Sequence, residues 1–102
     1  MLNKREKELK ELSIITSEEL IEAYKKGEIR EYVDENALSI QRDEDDNISQ
    51  IVFTIGSPYV HLDLYGGNAG CVVAEDLEHI IHSAIPWKIW FGIKDELEEI
   101  DE

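Results

Sequence analysis

The chain has 102 residues and sets 24 Asp or Glu against 10 Lys or Arg, a formal charge of −14 with histidine neutral. That length fits one domain, and that charge argues against direct binding of nucleic acid or an anionic membrane, both of which recruit Lys and Arg to phosphates. Leu, Ile, Val and Phe number 30, enough for a modest core rather than a disordered chain.

In chain order, Asn3 to Leu12 alternates Lys or Arg with Glu at spacings such as Glu6 to Lys10, which support an exposed helix. Its few apolar anchors predict a frayed or partner-dependent arm. Thr16 followed by Glu19 has the form of a capping box and introduces Leu20, Ile21, Ala23 and Tyr24 on a helical face, with Gly27 as a stop. A short helix over roughly Glu28 to Glu35 puts Ile29, Tyr32 and Val33 on one side. From Leu38 the period becomes two. Leu38 and Ile40, then Ile51, Phe53 and Ile55, read as the inward faces of strands separated by the acidic loop Asp43 to Asn47.

Gly56-Ser57-Pro58 makes the next turn, and Tyr59 to Tyr65 places Val60, Leu62 and Leu64 inward with Tyr59, His61, Asp63 and Tyr65 outward. After the Gly66 to Gly70 turn, Cys71 to Ala74 suits a further strand. Asp76 is expected to cap a helix reaching about Ala84, with Ile80 and Ile81 buried, and Pro86 to open a final helix. Ile85, Ile89, Ile93, Leu97 and Ile100 form its stripe, with Trp87 and Trp90 expected in the core. The predicted fold class is α+β: N-terminal helices, a three- to four-stranded antiparallel meander, and C-terminal helices packed on one face.

The longest apolar runs, such as Cys71 to Ala74, are four residues, so no membrane span is expected, and Met1 to Glu11 lacks the form of a secretory signal. A single cysteine forms no internal disulfide, which fits a reducing cytoplasm. Fourteen Ile and seven Lys run against a halophilic origin for the acidity.

The charge is unevenly placed. Residues 1–30 hold seven bases and seven acids, while residues 31–102 hold three bases and 17 acids, so all of the −14 falls in the second part. Asp34 with Glu35, the run Asp43, Glu44, Asp45, Asp46, and the tail containing Asp95, Glu96, Glu98, Glu99, Asp101 and Glu102 hold most of it. Carboxylates near a helix C-terminus oppose its dipole by about 0.3 to 1 kcal/mol each, so helix stability does not explain the tail. A negative surface fitted to a basic partner does; a solvated, fraying terminus is the simpler alternative.

Other chemistry is less specific. His61, Asp63, His79 and His82 are metal-ligating types, but His79 and His82 lack the His-Glu-x-x-His spacing, and no metal or other cofactor is expected. Cys71 and His61 carry no recognisable thiol-nucleophile pattern. The strip Tyr59, His61, Asp63, Tyr65 is aromatic and polar, a plausible contact surface or a face packed under a helix.

Leu38-Ser39-Ile40, Thr54-Ile55-Gly56-Ser57-Pro58 and Pro86-Trp87 give the stretch Ala37 to Trp90 a resemblance to small uncharacterised phage and mobile-element proteins, which have a Leu-Ser-Ile strand, a Thr-Gly-Gly-Pro hairpin turn and a Pro-Trp pair. Ile55 and Ser57 depart from the turn pattern. The resemblance implies a hairpin-centred fold and a phage origin, and carries over no catalytic residue. In size and acidity the chain is also similar to anti-CRISPR and anti-restriction proteins, a likeness that implies an occupant of a host nuclease's nucleic-acid channel. The leading expectation is therefore a non-enzymatic acidic inhibitor of a basic nucleic-acid-binding protein, acting in the cytoplasm. Its contact residues would be Asp43 to Asp46, the strip from Tyr59 to Tyr65, and Asp95, Glu96, Glu98 and Glu99. A structural or antitoxin-like subunit, homodimeric through the strip and the arm, and a metal-dependent enzyme are the alternatives.

Overall fold

A computed structural model describes residues 3–56 and 58–99; the expected roles of Ser57 in a turn, of Ile100 in the apolar stripe and of Asp101 and Glu102 in the tail lie outside them. Helix α1, Lys4–Lys25, is continuous through Thr16. Its cap is Asn3, whose side chain accepts from the Glu6 amide at 2.8 Å while the Asn3 amide donates to the Glu6 carboxylate at 3.1 Å. The Thr16 capping signal loses because Leu9, Ser13, Ser17, Leu20 and Ala23 form one buried stripe spanning both halves of the helix. Asn3 to Leu12 is thus a docked half-helix rather than an arm. Leu9 is fully buried, Arg5 bonds Asp76 at 2.6 Å, and Lys10 Nζ donates to the His82 carbonyl at 2.9 Å.

Gly27, with φ +72°, ends α1. The Gly27 and Glu28 amides donate back to the Tyr24 and Ala23 carbonyls at 3.0 and 2.8 Å, a closure that needs the left-handed backbone glycine tolerates. Helix α2, Ile29–Asn36, follows and buries Ile29 and Val33.

The sheet has five strands: β1 (Ser39–Arg42), β2 (Ile48–Thr54), β3 (Tyr59–Asp63), β4 (Cys71–Glu75) and β5 (Ile80–Ala84). They pair antiparallel in sequence order, the expected meander extended by one strand. The fifth replaces the helix expected from Asp76. Asp76 Oδ1 accepts from the Glu78 and His79 amides at 2.9 and 2.8 Å, and its own amide donates to the His79 carbonyl. The capping oxygen therefore closes a hairpin turn, and the β-branched pair Ile80-Ile81 continues as strand. Ile80 is 64% exposed. Ile55 also departs from expectation: the register shifts between Val52 and Thr54, and Ile55, past the strand end, is exposed.

A single C-terminal helix, α3 (Trp87–Glu98), starts after Pro86 and buries Trp90, Ile93 and Leu97. Trp87, three residues before Trp90, is not in the core; it is 65% exposed and meets Phe91 edge-on at 5.9 Å. Gly92 permits close approach to α1, since a Cβ there would lie 2.0 Å from the Tyr24 hydroxyl.

Inward residues Ile51, Val60, Leu62, Val72 and Ala74 share one core with Leu9, Leu20, Val33, Ile93 and Leu97. All three helices therefore cover the same sheet face. Each fully buried Leu or Ile contributes about 1.5–3 kcal/mol. No helix among the described residues is long and apolar enough to cross a membrane.

Candidate protein-binding surfaces

The hairpin tip between β1 and β2 spends part of its acidity on its own shape. Asp43 Oδ1 accepts from the Asp45 and Asn47 amides, both at 2.9 Å. Asp46 takes φ +65°, a conformation Asp tolerates better than most side chains, and its carbonyl accepts from Arg42 Nη1 at 2.9 Å. Asp43, Glu44, Asp45 and Asp46 are all exposed, and of their carboxylates only those of Glu44 and Asp45 make no hydrogen bond or ion pair among the described residues.

The acidic tail is not a free-standing negative surface over its described length. Arg30, from α2, pairs with Glu96 at 3.2 Å and with Glu99. Lys94 reaches Glu98 at 3.7 Å and lies 4.6 Å above the Tyr65 ring. Of the tail acids, only Asp95 makes no ion pair among the described residues. The opposition to the α3 dipole is relieved by a cation from another helix.

A further negative surface straddles the two parts of the sequence, taking three glutamates from the first 30 residues, which sum to zero, and two from beyond them. Between α1 and α2 runs a cleft of about 280 Å3 lined by Glu19, Glu22, Glu28, Glu31 and Glu35, with Lys26 as its one cation. Lys26 is 3.8 Å from Glu22; Glu28, Glu31 and Glu35 make no ion pair among the described residues. Tyr32 floors the cleft, its hydroxyl donating to Glu19 at 2.7 Å and its ring 6.0 Å from Phe53. Burial, then the hydrogen bond to Glu19, push its phenol well above the usual range, so it stays a donor. Glu31 with Glu35, and Glu18 with Glu22, are like charges one helical turn apart, each pair unfavourable by about 0.2–0.5 kcal/mol. One signal was available: the bases of the first 30 residues gather at 4–10 and 25–30, leaving Glu11, Glu18, Glu19 and Glu22 with none between.

The expected strip divides. Tyr59, His61 and Asp63 lie on the sheet face away from the helices, but His61 is only 4% exposed. Its Nδ1 faces Asp63 at 2.5 Å and its Nε2 faces Glu75 at 3.2 Å. Gln50 ties the group together, donating to Asp63 at 3.0 Å and accepting from the Tyr59 hydroxyl at 2.6 Å. The Tyr59 ring covers His61 at 4.5 Å, and burial, then Glu75 and Asp63, raise its phenol. Tyr65 leaves the strip, lying past β3 against Lys94 of α3.

His61, Asp63, His79 and His82 do not assemble. His82 sits two strands from His61 in register with Val73, and His79 turns to Asp76 at 3.2 Å. Among the described residues no group of three or more His, Cys, Asp or Glu side chains is arranged to hold a metal ion. Both His61 ring nitrogens face carboxylates, and burial, then Asp63, raise the Cys71 thiol, the opposite of what activates a nucleophile. No known family, no characterised protein and no solved structure matches the chain.

Proposed function

We propose that the protein is an acidic, non-enzymatic inhibitor that occupies the basic nucleic-acid-binding surface of another protein. The observation that carries this reading is the α1–α2 cleft, where five glutamates face one lysine. Like charges held this close act against the stability of the free protein, and a cationic partner turns the repulsion into attraction. The hairpin tip adds the exposed Glu44 and Asp45 carboxylates, which the turn does not use. With the resemblance of Ala37 to Trp90 to phage proteins, the specific form of the proposal is a phage inhibitor of a host defence nuclease complex, working in the host cytoplasm.

The test is capture from bacterial lysate on the immobilised chain, eluted in parallel with salt and with duplex DNA. The reading expects nucleic-acid-binding proteins released by both, because a shared site makes DNA a competitor and charge contacts are screened by salt. Retention insensitive to both, or no retained nucleic-acid-binding protein, contradicts it.

A further inference from the structure

The sheet face turned away from the helices is hollowed at one end. The turns after β2 and β4 stand on either side of a groove of about 640 Å3 and line it with Ile55 and Leu77. These side chains are 70% and 99% exposed. Val52 and Tyr59 line the groove between them, Ser39 and Gln41 on the β1 side, and Glu75 and Asp76 supply its charge; no Lys or Arg lines it.

We infer that this groove receives an extended, lysine- or arginine-bearing segment of the partner protein, the aliphatic stem lying between Ile55 and Leu77 and the cationic head meeting Glu75. The inference rests on the proposed function and gives that acidic protein a specific anchoring site besides its charge. Lys and Arg are the side chains that combine a long apolar stem with a cation, which is what two exposed aliphatic walls beside a carboxylate accommodate. Asp76 is already engaged by Arg5 at 2.6 Å, which leaves Glu75 as the acceptor. Glu75 is held before binding by His61 Nε2 at 3.2 Å, and Tyr59 by Gln50 at 2.6 Å, so little side-chain freedom is lost on association. A second copy of this chain is a poor occupant, because it would bring another −14 against the same carboxylates; nucleic acid is excluded by the same repulsion.

The test is an amide chemical-shift titration of the whole protein with three hexapeptides in which valine alternates with lysine, glutamate or serine. The lysine peptide is expected to shift Ile55, Gly56, Glu75 and Leu77, with the glutamate peptide inert and the serine peptide weaker. Leu77→Ser and Glu75→Gln should each weaken the lysine peptide about fivefold or more. The Leu77 side chain is solvent-borne, so L77S should retain the wild-type melting temperature. Shifts confined to Glu31, Glu35 and their neighbours would overturn the groove while leaving the acidic-inhibitor reading intact. Equal binding of lysine and glutamate peptides, or no binding of the lysine peptide, would also overturn it; failure of DNA competition in the lysate capture would instead overturn the proposed function.

Discussion

Ser13 and Ser83 are two buried hydroxyls between α1 and β5, and the direction of donation follows from counting protons. Ser13 Oγ donates to the Lys10 carbonyl at 2.8 Å, so Ser83 must donate to Ser13 across 2.7 Å. Ser13→Ala strands the Ser83 donor and should cost about 1–3 kcal/mol in denaturant unfolding; adding Ser83→Ala should recover part of that loss, whereas additive losses would contradict the pairing. Asp76 allows a second prediction. The Arg5 guanidinium, then the Glu78 amide, hold its carboxyl well below the usual range. A depressed carboxyl contributes stability that is fully present above the unfolded-state value of about 4 and is lost as pH falls toward the folded-state value. Asp76→Asn keeps the turn-closing oxygen but removes the charge. Its destabilisation should therefore be largest and constant near neutral pH and shrink below about pH 4; a difference that does not narrow on acidification would rule the Arg5 contact out as its source.

At the scale of elements, period-two alternation made β1, β2 and β3 legible, and β4 was legible as a short apolar run after a glycine-rich turn, its Val72, Val73 and Ala74 all buried. β5 was not, since Asp76 satisfies the amides of a hairpin turn with the same oxygen it would use to cap a helix. The continuity of α1 was hidden for a related reason: Thr16 and Glu19 look like a start, and only contact with β4 and β5 makes Leu9 and Ser13 part of the stripe. Leu9→Ala separates the two pictures, because a frayed arm would lose almost nothing, while the docked helix should lose about 2–5 kcal/mol. The cleft supplies the opposite sign. Glu35→Gln removes the repulsion from Glu31 and should stabilise the free protein by about 0.2–0.5 kcal/mol while weakening retention of a basic partner. A loss of stability, or unchanged retention, would contradict the role given to the cleft.

Across the whole molecule, a radius of gyration of 13.1 Å holds a formal charge of −14, and the placement of that charge differs from its order in the chain. The hairpin acids were visible as a run, yet Asp43 and Asp46 are tied to backbone geometry. The tail was visible too, but Arg30 meets Glu96 and Glu99 from more than sixty positions away, a pairing no local window reveals. The cleft glutamates come together only when the Gly27 turn folds α2 back beside α1. Acidity read as a property of the last 72 residues is, in space, shared with the first 30, whose Glu19, Glu22 and Glu28 gather beside Glu31 and Glu35. The most direct measurement is competition on a partner captured from lysate: labelled duplex DNA is bound to it, the chain is titrated in, and DNA release is followed at rising ionic strength. The proposed function predicts release by the wild type, a weaker effect as salt rises, and a further loss with Glu28, Glu31 and Glu35 all changed to Gln. A stable complex carrying DNA and the chain together would contradict it.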